Sequence, residues 1–235
     1  MFIASFPAGP WQTNCYVVAT EPGAECLIID PGVGAADGVR ELVREHRLKP
    51  VAVVLTHGHL DHMFAVAPVS GTYDATCWIH PEDRHLLVDP LRAMGPENHQ
   101  LLAQLTGGST TFAEPDDVRE LVDGSVLEVA GVTLDAIHAP GHTAGSLMYR
   151  TDYPPTALGA DTTVDQLVFS GDVLFAGSIG RTDLPGGDHA AMLRSLRTKV
   201  LPLADSTAVL PGHGPQTTMA HERASNPYLK QGGVG

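Results

Sequence analysis

Four short motifs of metal-ligating side chains are spread along this chain, and each follows an apolar run rich in β-branched residues. Thr56-His57-Gly58-His59-Leu60-Asp61-His62 follows Val51–Leu55, and Pro140-Gly141-His142-Thr143 follows Val132–Ile137. Ser170-Gly171-Asp172 follows Leu167–Phe169, and Pro211-Gly212-His213-Gly214 follows Thr207–Leu210. Such runs read as buried strands. Side chains just past the ends of neighbouring strands converge in space. The pattern therefore asks for a sheet protein whose strands end together at one edge, around His57, His59, Asp61, His62, His142, Asp172 and His213. One carboxylate shared between two imidazole sets is what a two-metal site requires.

Imidazole with carboxylate suits a borderline divalent cation such as zinc, with iron and manganese as alternatives, and no thiolate sits in the four motifs. His57 and His59 can point the same way from an extended segment, because strand side chains alternate. Asp61 and His62 fall where a helix begins, a favourable place for a carboxylate. Grouping four polar ligands beside an apolar strand would be costly without a cation. The remaining histidines read differently. His46, His80, His85, His99, His189 and His221 read as surface or satisfied core residues, and His138 as a core or rim residue.

The set resembles the metallo-β-lactamase superfamily, and within it the glyoxalase II (hydroxyacylglutathione hydrolase) branch. Thr13-Asn14-Cys15-Tyr16, Ile29-Asp30-Pro31-Gly32, Asp172-Val173-Leu174-Phe175 and Gly180-Arg181-Thr182-Asp183 extend the likeness over nearly the whole chain. The resemblance implies a four-layer αββα sandwich in the α/β (α+β) class. It implies His57, His59 and His142 on one metal, Asp61, His62 and His213 on a second, and Asp172 bridging them. A water between the metals would lose its proton near neutral pH and attack a polarised carbonyl, with Asp61 orienting it. Asp61 and Asp172 are thus the residues expected to serve catalysis.

Arg181 matches a basic position that holds the thiol carrier's carboxylate, with an ion pair to Asp183 as the structural alternative. Asp30 is expected to support a ligand histidine, since such histidines pass their second ring nitrogen to a carboxylate or carbonyl. Two tyrosines that typically grip glutathione in that branch are replaced by Asp183 and Pro215, and the long C-terminal helical extension is absent. The expected activity is hydrolysis of a 2-hydroxyacyl thioester of a small thiol, glutathione or another. A persulfide dioxygenase using one iron on His57, His142 and Asp172 is the first alternative, and a lactonase the next. An aspartate bridge points away from a true β-lactamase.

The net charge of −13 argues against a polyanionic partner such as nucleic acid. Cys15, Cys26 and Cys77 form no CxxC pair and read as small buried hydrophobes rather than a disulfide framework. No apolar run is long enough to span a membrane and Met1-Phe2-Ile3-Ala4 begins no leader, so a cytoplasmic protein is expected. The 235 residues read as one domain, with the oligomeric state left open. Helices are expected at Ala35–His46, Asp61–Val69, Asp188–Val200 and Pro215–Ala224, and one beginning at Pro81. Asp152–Asp165 reads as an exposed loop. Segment 86–120 mixes helix and turn signals, and reads equally as a lid over the site or a surface insertion.

Overall fold

A computed structural model of the protein describes residues 1–95, 100, 104, 112–158 and 162–230. The first sheet contains β1 (Phe2–Ala8), β2 (Thr13–Ala19), β3 (Glu25–Ile29), β4 (Lys49–Val54), β5 (Thr76–Ile79) and β6 (Val118–Glu120), in that spatial order. The second contains β7 (Val126–Val129), β8 (Val132–His138), β9 (Leu147–Leu158), β10 (Thr162–Gly171), β13 (Thr207–Pro211) and β14 (Thr217–Thr218). Its spatial order is β14-β13-β10-β9-β8-β7. Between β10 and β13 in sequence, β11 (Leu174–Phe175) and β12 (Ser178–Ile179) form a small separate hairpin.

The strands most central to each sheet are buried on both faces, and their period-two alternation sorts side chains into two cores. In the first sheet, Tyr16, Val18, Leu27, Ile29, Ala52 and Val54 face the second sheet, where Leu134, Tyr149, Phe169 and Leu210 meet them. Their neighbours Cys15, Val17, Cys26, Ile28 and Val53 face outward onto α1 (Ala35–His46), α2 (Leu60–Met63) and α3 (Val66–Tyr73). On the far side Met148, Val168 and Val209 pack against α5 (His189–Ser195), the π-helical turn Leu196–Val200 and α6 (Met219–Ser225). The short α4 (Pro81–Arg84) follows β5. The layers are therefore α, β, β, α, as expected, and the three cysteines are buried and free. Among the described residues, no helix is long and apolar enough to cross a membrane.

Three local readings need correction. The expected helix Asp61–Val69 is two helices, because Ala65 sends its amide to the carbonyl of Pro31 at 2.9 Å and leaves the helical ladder. The expected loop Asp152–Asp165 belongs instead to a long hairpin, with Thr163 opposite Ala157 and Gln166 opposite Asp152. Pro154 and Pro155 are tolerated there because β8 pairs only as far as Arg150 on one side, and on the other the register with β10 shifts between the pairs Asp152–Gln166 and Thr156–Val164. The closing helix starts at Met219 rather than Pro215: Thr217 and Thr218 first pair with β13, and the Thr218 hydroxyl then caps the helix by accepting the amide of His221. Of segment 86–120, residues 85–87 and 90–93 form 3₁₀ turns and 118–120 join the first sheet. Residues 96–99, 101–103 and 105–111 of the segment lie outside the described residues.

Candidate metal centre

The loops that leave β4, β8, β10 and β13 meet at one edge of the sandwich. Gly171, with φ +48°, marks the end of β10; a Cβ there would come within 2.6 Å of the Thr56 side chain. Only glycine admits that close approach in a left-handed conformation. His59 is the N-cap of α2, with extended angles (φ −66°, ψ 145°), so His57 and His59 leave the strand while Asp61 and His62 rise from the first helical turn.

All seven expected ligands come together. Ligand atoms of His57, His59 and His142 lie within 4.8 Å of one another, as do those of His57, His62 and Asp172, and those of Asp61, His62 and His213. Asp172 touches both sides: Oδ1 is 3.4 Å from Nε2 of His62, and Oδ2 is 3.4 Å from Nε2 of His142 and 3.5 Å from Nε2 of His213. Asp61 Oδ2 lies 3.1 Å from Nε2 of His213.

The imidazoles are oriented from behind. Nδ1 of His142 donates to the carbonyl of Arg181 at 2.7 Å, and Nδ1 of His213 donates to the carbonyl of Trp11 at 3.0 Å. A proton held at Nδ1 leaves the Nε2 lone pair facing the cluster. Nδ1 of His62 lies 2.9 Å from Oδ2 of Asp30, and Nδ1 of His57 lies 3.0 Å from the Thr56 hydroxyl. Asp30 is itself fixed by the amide and hydroxyl of Thr56, at 2.8 and 2.6 Å. It holds φ +51°, which aspartate tolerates better than most residues.

The electrostatics suit a cation. Burial, then the neighbouring imidazoles, lower the pKa of His57 and bring that of His59 down to about 3, so both rings are neutral donors. Burial would lower His62 too, but Asp61, Asp172 and Asp30 overcome it and raise its pKa well above the ordinary value. Burial would raise the Asp61 and Asp172 carboxyls, yet the surrounding histidines keep both low and ionised. Nε2 of His57, Nε2 of His59 and Oδ1 of Asp172 are buried without a hydrogen-bond partner, which is costly for polar atoms unless an ion completes them. The neutral rings of His57 and His59 and the ionised carboxylates, with orphaned buried atoms among them, fit a divalent pair.

Residues that carry no metal-ligand signature complete the site. Asp83 is buried and accepts from the amide of Gly58 at 2.9 Å, the hydroxyl of Thr143 at 2.7 Å and the amide of Gly145 at 2.8 Å. It thus ties the first histidine loop to the second. Sequence reading placed Pro81-Glu82-Asp83 only at a helix start; nothing local marks Asp83 as different from Glu82. Thr13 donates to Asp61 at 2.9 Å, and Asn14 and Tyr16 donate to the carbonyl of Pro211 at 2.9 and 2.7 Å. These three lie in the Thr13-Asn14-Cys15-Tyr16 motif, whose role sequence alone did not assign. His138 is a rim residue: it donates to the carbonyl of Ala144 at 2.8 Å and stacks on His80.

A cavity of about 460 Å³ opens over the cluster. Trp11, Leu60, Met94, Phe175, Ile179 and Leu184 give it an apolar wall, and Arg181 lies at it as well. The Arg181 guanidinium makes two hydrogen bonds to Asp183, at 2.7 and 2.8 Å, with both side chains exposed. The ion pair considered from sequence is therefore present, and it lies beside the cavity.

A family model for the metallo-beta-lactamase superfamily matches residues 8–213. An uncharacterized protein of Mycobacterium tuberculosis is 45% identical over 231 residues, 98% of each chain. The hydroxyacylglutathione hydrolase GloC of Haemophilus influenzae is 34% identical over 229 residues, 97% of this chain and 98% of the relative. Among solved structures, the BLEG-1 B3 metallo-beta-lactamase aligns with TM-score 0.79 at 38% identity, covering 98% of this chain and 100% of its own. TTHA1623 in a di-iron-bound form aligns with TM-score 0.71 at 35% identity, covering 97% and 100%.

Proposed function

Because the chain belongs to the metallo-beta-lactamase superfamily, we propose that it is a binuclear metallohydrolase that cleaves a 2-hydroxyacyl thioester of a small thiol. The observation that carries the binuclear reading is Asp172, whose two oxygens face imidazoles of both sets. On this reading His57, His59 and His142 hold one cation, Asp61, His62 and His213 the other, and Asp172 lies between them. Zinc suits these ligands, and the likeness to a di-iron-bound structure supports iron as well. Such a pair supplies an acidified water and polarises the scissile carbonyl.

The chain's own groups do the rest. Thr13 donates to Oδ2 of Asp61 and orients it, leaving the other oxygen to align the attacking water. Trp11, Phe175 and Leu184 set apolar surface beside the cluster, where it can lower the local dielectric around the reacting carbonyl. Arg181 can exchange its exposed partner Asp183 for an anionic group on the thiol carrier, since exposed pairs contribute little to stability. The likeness to GloC supports a thioester substrate. The likeness to BLEG-1 makes a β-lactam the second class to try.

The test is a substrate panel on protein of measured metal content: a 2-hydroxyacyl glutathione thioester, the same acyl group on another small thiol, a lactone, a β-lactam and glutathione persulfide with oxygen consumption followed. Thioester turnover exceeding the others, with two metals per chain, is expected. One iron per chain with oxygen uptake exceeding hydrolysis would overturn the reading.

A further inference from the structure

The cavity wall nearest Asp172 is held by a buried carboxylate that takes no part in the metal cluster. Glu222, on α6, is fully buried, as is Asn226 one helical turn further on. Among the described residues, Glu222 makes no ion pair. Its oxygens accept instead from the amide of Gly177 at 2.8 Å, the hydroxyl of Thr217 at 2.7 Å and the side-chain amide of Asn226 at 2.8 Å. The same Asn226 amide also reaches the carbonyl of Ser178 at 3.1 Å. A carboxyl group with no cation beside it is costly to bury, and three or more hydrogen-bond donors are what make it tolerable.

Two of those groups, the Gly177 amide and the Ser178 carbonyl, belong to the β11–β12 hairpin. Gly177 turns it, with φ +73°. The hairpin begins two residues after Asp172 and ends two before Arg181, whose carbonyl orients His142. It supplies Phe175, Ser178 and Ile179 to the cavity, and the Phe175 ring stands edge-on to His213 with centroids 6.1 Å apart. A two-strand hairpin of this length has little stability of its own. Leu174 anchors its first strand in the core, with the Ser170 hydroxyl on the Leu174 carbonyl at 2.8 Å, and Glu222 and Asn226 grip its turn.

We propose that Glu222 and Asn226 are positioning residues that fix this hairpin as the acyl-binding wall, so that the enzyme prefers thioesters with an apolar acyl chain. The inference rests on the hydrolase reading. Phe175 beside His213 places the apolar surface next to the reacting carbonyl, where the acyl substituent lies. Loss of the clamp loosens the wall and leaves the metal ligands untouched.

The experiment compares wild type with Glu222→Gln and Asn226→Ala, the second of which keeps the carboxylate's bonds to Gly177 and Thr217 and so guards against a misfolded first variant. KM is measured for 2-hydroxypropanoyl and 2-hydroxyhexanoyl thioesters of one thiol, and affinity for a non-hydrolysable S-(2-hydroxyhexyl) thioether by calorimetry. Exchange of the Gly177 amide is followed by NMR, and metal content is determined. We expect KM for the 2-hydroxyhexanoyl substrate to rise roughly tenfold, the scale of a mis-set apolar pocket. The 2-hydroxypropanoyl KM, kcat and the two-metal content should change little, and the Gly177 amide should exchange faster. Equal losses on both acyl groups, or an unchanged Gly177 amide in both variants, would overturn the proposal. If wild type cleaves no thioester, the hydrolase reading fails. The thioether then decides the clamp: roughly tenfold weaker binding by the variants supports it, and equal binding sinks it.

Discussion

The amide of Gly58, the residue between His57 and His59, donates to Oδ2 of Asp83 at 2.9 Å. The same oxygen accepts from Thr143, the neighbour of His142. One buried carboxylate therefore sets the distance between two loops that sequence places far apart.

Asp83→Ala leaves the amides of Gly58 and Gly145 without an acceptor, while the Thr143 hydroxyl can turn to Ser146 Oγ at 2.8 Å. Unsatisfied buried donors cost about 1–3 kcal/mol each, so a loss of at least ~2 kcal/mol is expected, or roughly 4–8 °C in Tm. Metal retention should weaken about 10–100-fold, as for other supports behind metal ligands. Calorimetry and titration against a chelator measure both; an unaltered Tm would show that the loops are held by other means.

Asp172→Ala removes the carboxylate that faces both imidazole sets. Two divalent cations about 3.5–4 Å apart need such a bridge to offset their repulsion. Elemental analysis should show well below two metals per chain. Retention of both would contradict the bridging role.

Arg181→Ala should raise KM for a carboxylate-bearing thioester more than it lowers kcat, because an interaction equal in ground and transition states appears in KM. A neutral thioester should be nearly unaffected, and Tm should change little, since the Asp183 pair is exposed. Parallel losses on charged and neutral substrates, with a fall in Tm, would assign Arg181 to the fold instead.

His80 and His138 stack with ring centroids 4.1 Å apart and planes 13° from parallel. Burial, and then the charge of His138, hold the His80 pKa below the ordinary 6.5. With the folded value depressed, the unfolded chain binds the proton more readily. The stability from this group is complete above pH 6.5 and is lost as pH falls from there toward the folded value. His138→Gln removes one of the two lowering causes and should move the His80 midpoint upward. An NMR titration of the two proteins with identical His80 midpoints would rule out the coupling.

What the sequence determined by itself is local and periodic. Apolar runs such as Val51–Leu55 and Val132–Ile137 marked the buried strands. The Ala35–His46 pattern predicted a helix with the bounds observed. Ligand motifs at strand ends required a common edge, because a strand end delivers its next residues to a place the ladder already sets. The αββα layering came from resemblance and the cores agree with it. Tertiary structure decided whatever depended on partners remote in the chain. Ala65 leaves the helical ladder for Pro31, Pro154 and Pro155 lie in a hairpin beyond the reach of β8 and at a register shift against β10, and Asp83 and Glu222 are distinguished from ordinary helix acids only by donors 25 to 62 and 4 to 45 residues away. A carboxylate's role is set by the donors that surround it once it is buried, and neighbouring letters carry no record of donors that approach from another loop.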